Sequence, residues 1–86
     1  MPRWTDMLAR IWQDGEWWLA EWSKAAVMTQ GKTRDDAKSM LADAIESLVN
    51  EEGFKVTIDE IAGGSTSVLI RASDQDRLKR LVQDRA

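Results

Sequence analysis

The chain of 86 residues has the length of one small domain, and its 43% apolar and 31% charged residues place it with globular proteins rather than disordered or membrane-embedded ones. It contains no cysteine and no histidine, which removes disulfides, thiolate nucleophiles, zinc–thiolate sites and imidazole bases, and leaves only carboxylates for a metal. A net charge of −3 runs against the basic surface on which nucleic-acid binding rests, so a basic protein partner is the easier expectation.

The start, Met1-Pro2-Arg3-Trp4-Thr5-Asp6, lacks the apolar core of a signal peptide, and no later run approaches the ~18 apolar residues of a membrane span. A cytoplasmic protein without membrane contact is expected. Residues 4 to 13 mix β-formers with alternating polarity. Asp14-Gly15 then separates two aromatic-rich runs and is a strong two-residue hairpin signal. With those two residues as the turn, Gln13 faces Glu16, Trp12 faces Trp17, Ile11 faces Trp18, Ala9 faces Ala20 and Met7 faces Trp22. Strand alternation sorts the pairs onto two faces. Met7, Ala9, Ile11, Trp18, Ala20 and Trp22 form a uniformly apolar face directed at the core. Trp4, Leu8, Arg10, Trp12, Trp17, Leu19 and Glu21 form a mixed outer face, with a Trp12–Trp17 cross-strand pair near the turn.

Ser23-Lys24-Ala25 reads as a connection, and Ala26 to Gln30 as a short third strand ended by Gly31. Thr33 is a good N-cap, with Asp35 and Asp36 in the first turn where backbone N–H groups favour negative charge. Ala37, Met40, Leu41, Ala44, Ile45, Leu48 and Val49 make one stripe on a helix of about residues 34 to 51, with Lys38, Asp43, Glu46 and Glu51 opposite and Gly53 as its stop. Phe54, Val56 and Ile58 alternate with polar residues as a fourth strand. Residues 63 to 67 read as a flexible loop, and Ser67 to Ala72 as a strand returning alongside the fourth. Ser73 opens a short helix with Asp76 at the capping-box position. Leu78, Leu81 and Val82 form its apolar stripe, and Asp76, Arg77, Lys79, Arg80 and Asp84 its charged side.

The predicted class is α+β. A three-stranded antiparallel meander is followed by an amphipathic helix and a strand (βββαβ), then by a further strand and a short C-terminal helix. Residues 1–86 form a single domain, with its core over 4–61 and a strand–helix extension over 67–86.

Three groups of residues could carry function. Ala26 to Thr33 fits a relaxed phosphate-loop pattern between a strand and a helix. Such a loop needs glycines so that its backbone can wrap phosphates, whereas Val27, Met28 and Thr29 prefer an extended strand. A strand–turn–N-cap is the simpler reading. Asp6, Asp43 or Glu46, and Asp59 could hold metal for a nuclease, but they fall on solvated faces where carboxylates need no further reason. The outer tryptophans, with Leu8 and Leu19, would expose a patch that calls for cover: a second copy, another protein, or the C-terminal hairpin and helix folded over the sheet.

The run Gly15-Glu16-Trp17-Trp18-Leu19-Ala20-Glu21, then Val27-Met28-Thr29-Gln30-Gly31-Lys32-Thr33, then Asp36-Ala37 and a helix with Ile45, resembles the N-terminal domain of HicB-type antitoxins. The likeness covers roughly residues 7 to 50. It departs from the family pattern at Ser23, where proline is frequent, at Ala26, where glycine is common, and at Asp35-Asp36, where glutamates are usual. The resemblance implies a partial ribonuclease-H-like fold with no catalytic residues, no metal and no cofactor. It also implies a role in neutralising a small basic HicA-type toxin that cleaves mRNA, by covering the toxin's active surface. Trp4, Leu8, Arg10, Trp12, Trp17, Leu19 and Glu21 are then the expected partner-binding residues, and a homodimer is one arrangement the fold allows. Many members add a DNA-binding domain. Residues 54 to 86 show neither a helix-turn-helix of adequate length nor a basic patch, so direct nucleic-acid binding is not expected. The alternatives are a mobile-element inhibitor of a host nucleic-acid enzyme on the same fold, and a minimal metal-dependent nuclease.

Overall fold

Five strands pair antiparallel throughout in the computed structural model, which describes the backbone of residues 4–85 and the side chains of 6–63 and 66–83. The strands are β1 (Leu8–Asp14), β2 (Trp17–Trp22), β3 (Val27–Gly31), β4 (Val56–Ile61) and β5 (Gly64–Ala72). Helix α1 (Arg34–Val49) follows β3, and α2 (Gln75–Arg85) follows β5. The α+β class and the order βββα, ββ, α are as expected. The sheet order is β3-β2-β1-β5-β4, so β4 reaches the rest of the sheet only through β5. The C-terminal segment is therefore the bridge between β1 and β4.

The first hairpin departs from the expected register. Asp14 pairs with Trp17, Trp12 with Leu19 and Ile11 with Ala20, each two residues from the pairing that an Asp14-Gly15 turn would give. Gly15 carries the positive φ of 62° and takes the first central position of the turn, with Glu16 second, the II′ pattern that calls for glycine there. A slip of two preserves alternation, whereas a slip of one would have exchanged the faces. Met7, Ala9, Ile11, Ala20 and Trp22 are accordingly buried, and Trp18 is half-buried. The chain before β1 is a 3-10 turn (Trp4–Met7) rather than strand, tied down by Trp22 Nε1 donating to the Asp6 carbonyl at 2.8 Å.

Thr33 caps α1 as expected, its hydroxyl accepting from the Asp36 N–H at 3.0 Å. The helix stops at Val49 because Asn50 adopts the left-handed conformation (φ 53°), three residues ahead of the expected Gly53. Only Ala37, Leu41, Ile45 and Val49, one row at i+4 spacing, are fully buried. Met40 and Leu48 stand half-exposed on the flank, since a helix lying across a sheet directs only one row downward. Glu46 is drawn in toward the sheet, its Oε2 accepting from the Val56 N–H at 2.8 Å.

β5 begins at Gly64, so the loop expected over 63 to 67 shrinks to the tip of a hairpin. Ser73 does not cap α2. It exchanges bonds with the Lys55 backbone and lengthens the pairing of β4 with β5, while Asp74 Oδ1 accepts from the Arg77 N–H at 3.1 Å. Arg77 is not a solvated charge either, for its Nε lies 2.7 Å from Glu51 Oε1 beyond the end of α1. Leu78 and Val82 enter the same core as the buried row of α1, together with Ile11, Ala20, Trp22, Val68 and Ile70.

Candidate functional site

Both helices place their buried residues in the core on one side of the sheet. The C-terminal hairpin joins the sheet edge to edge instead of folding over it. Internal cover for the outer face, one of the arrangements expected from the sequence, is therefore not what the chain adopts. Among the described residues this face is open.

Register arranges the open face in rows. Met28, Glu21, Arg10 and Ser67 form one, Gln30, Leu19 and Trp12 the next, and Leu8, Leu69 and Asp59 a third. Leu8 and Leu69 are half-buried as one cross-strand pair and Trp12 and Leu19 as another, with the Arg10–Glu21 row between them. Arg10 reaches Glu21 at 3.9 Å and lays its guanidinium 4.9 Å from the centre of the Trp12 ring. Arg71 meets Asp59 at 3.4 Å. Ion pairs this exposed add little stability, and their physical effect is to keep an apolar surface wettable.

Of the expected partner-binding residues, Leu8, Arg10, Trp12, Leu19 and Glu21 come together here. The Trp4 side chain lies outside the described residues. Trp17 stands opposite Asp14, not Trp12, because of the shifted register. It lines an open hollow at the β3 edge with Gln30, Gly31, Lys32 and Met40. Sequence reasoning missed Met28, Gln30 and Leu69. The alternation of Val27, Thr29 and Gly31 with Met28 and Gln30 would have found the first two. Leu69 was hidden by apolar neighbours on both sides, Val68 and Ile70.

The phosphate-like turn is structural. A Cβ at Gly31 would lie 2.6 Å from the Ala37 nitrogen and from Asp36 Cβ, so glycine is what lets β3 pass beneath the start of α1. The four carboxylates considered for metal do not converge. Asp59 is on the open face with Arg71, Asp43 is exposed on α1, Glu46 is held by the Val56 N–H, and Asp6 lies 3.6 Å from Lys24. Among the described residues no group of three or more acidic side chains could share a metal ion.

The strongest electrostatic feature lies at one end of the core face. Glu60 accepts from Arg34 Nε at 2.9 Å and Nη2 at 2.7 Å, and from Lys38 Nζ at 3.1 Å. These bonds, Arg34's foremost, hold the Glu60 carboxyl down at about 2 against a smaller upward push from burial. The same pairing pushes Arg34 up. Arg34 also stacks 5.7 Å from the Trp18 ring centre, so the cluster clamps the start of α1 onto β4 and covers a half-buried tryptophan packed against the core. No protein-family model, curated protein or solved structure matches this chain.

Proposed function

We propose that the chain is a non-catalytic, HicB-like antitoxin domain that neutralises a small basic mRNA-cleaving toxin of the HicA type by occluding its active surface. The observation that carries the reading is the open sheet face, where the half-buried pairs Leu8–Leu69 and Trp12–Leu19 flank Arg10, with acidic groups at Glu21 and Asp59 and no described helix over it. A surface of this kind gains free energy by excluding water against a partner, and an exposed tryptophan is a typical anchor. The resemblance over residues 7 to 50 names the kind of partner, and the net charge of −3 suits a basic one.

Co-expression with a HicA-type toxin tests this. Wild type should restore growth and co-purify with the toxin. Trp12→Ala and Leu19→Ala should lose both while keeping the far-UV circular dichroism of wild type. Binding to an unrelated nuclease with none to the toxin would transfer the face to an inhibitor of a host enzyme. Magnesium-dependent RNA cleavage abolished by Asp43→Ala or Asp59→Ala would overturn the proposal.

A further inference from the structure

The two edges of the sheet are built differently. β4 carries Asp59 and Glu60, follows Lys55 and breaks register between Glu60 and Ile61, all features that discourage another strand from pairing. β3, Val27-Met28-Thr29-Gln30-Gly31, has no charge and no proline, pairs in unbroken register with β2, and has no described strand on its far side. Three of the exposed large apolar side chains lie at this same edge, with Leu48 two turns further along α1. Met28 is 56% exposed on the open-face side, Met40 is 50% exposed on the helix side, and Trp17 is 41% exposed beside the end of the strand.

We infer that β3 is a self-association edge, pairing antiparallel with β3 of a second copy about a two-fold axis normal to the sheet. The backbone groups of an edge strand are self-complementary when run antiparallel, and a two-fold closes the assembly at two chains. The apolar groups lie on both sides of the strand. A bare peptide strand would leave Met40 uncovered, whereas a second copy brings a helix as well as a strand. Three side chains of this exposure fall well short of the ~800 Å² each partner buries in a standard interface. The strand edge and Gln30 add to this, and the dimer is accordingly weak and concentration-dependent. Both open faces end on the same side of one ten-stranded sheet, so the dimer would present the candidate binding surface twice in one plane. This inference stands on the edge alone and holds whatever binds the open face.

Sedimentation velocity of the full chain over a concentration series tests it. Wild type should move reversibly from one to two chain masses. Met28→Lys and Met40→Lys, at exposed positions, should each raise the dissociation constant at least about tenfold by setting like charges across the axis. Trp12→Ala should leave it unchanged. Amide exchange supplies a readout independent of any variant: protection over Val27–Gly31 should rise with wild-type concentration. A wild type that stays monomeric throughout, or a dimer that ignores both lysines and dissolves in Trp12→Ala, would overturn the inference.

Discussion

Trp22 and Trp12 sit on neighbouring strands of one hairpin and meet opposite fates. Trp22 is fully buried, its indole N–H spent on the Asp6 carbonyl at 2.8 Å. Trp12 is half-buried under the Arg10 guanidinium, opposite Leu19 on a face that no described helix covers. Hydrophobicity does not separate them, since both are tryptophan. What separates them is the parity of the strand, fixed by where Gly15 places the turn. One face of the hairpin makes the fold, and the other is left for a partner.

The widest test of that contrast is a matched pair of truncations. Trp22→Ala should cost about 3–5 kcal/mol in urea unfolding, combining lost burial, a cavity and the lost hydrogen bond to the Asp6 carbonyl. Trp12→Ala should cost under about 1 kcal/mol, because its ring is only half-buried and lies on a face open to water. Equal losses at the two positions would erase the distinction between a folding face and a binding face.

A smaller effect is expected where β3 passes under α1. Gly31→Ala should destabilise by about 1–3 kcal/mol, because the new Cβ meets backbone, which cannot swing aside as a flexible side chain would. Lys32→Ala, one residue on and exposed, should stay within about 0.5 kcal/mol. A phosphate loop would show the reverse emphasis, with the lysine dominating any nucleotide-dependent shift in melting temperature.

The split between the faces was legible in the sequence because alternation survives an error of two in register. Met7, Ala9, Ile11, Ala20 and Trp22 went inside as their spacing required. The α1 stripe was legible for a similar reason, although periodicity alone cannot say that Met40 and Leu48 fall beyond the sheet's reach. The turn was misplaced because Asp-Gly suits a I′ turn at those two residues, while Gly15 also suits a II′ turn one residue later, and local composition does not choose between them. The place of β5 between β1 and β4 is a long-range pairing that no local pattern encodes. Glu60 meeting Arg34 across 26 residues is of the same kind. Ala26 lies between these cases. It holds φ 55°, a conformation glycine adopts without penalty, and an alanine there does not announce it.

The finest distinction concerns the end of the core face where charge joins the start of α1 to β4. Glu60→Gln should cost only about 0.5–1 kcal/mol at neutral pH, because the carboxylate is nearly half exposed and solvent screens the pair. Its signature is the dependence on pH. The folded carboxyl titrates at about 2, below its ordinary 4.5, so the unfolded chain binds the extra proton first as the solution is acidified. The clamp's contribution is whole above 4.5 and is lost as pH falls toward 2. Every other carboxylate is common to wild type and variant and largely cancels in their difference. Urea unfolding of both proteins at intervals from pH 7 to pH 2 should therefore show a gap that is constant down to about 4.5 and then closes. A gap that persists unchanged at the acid end would mean that Glu60 acts through packing over Trp18 and Arg34 rather than through its charge. The core face would then be closed by contact along its whole length, like the part beneath α1.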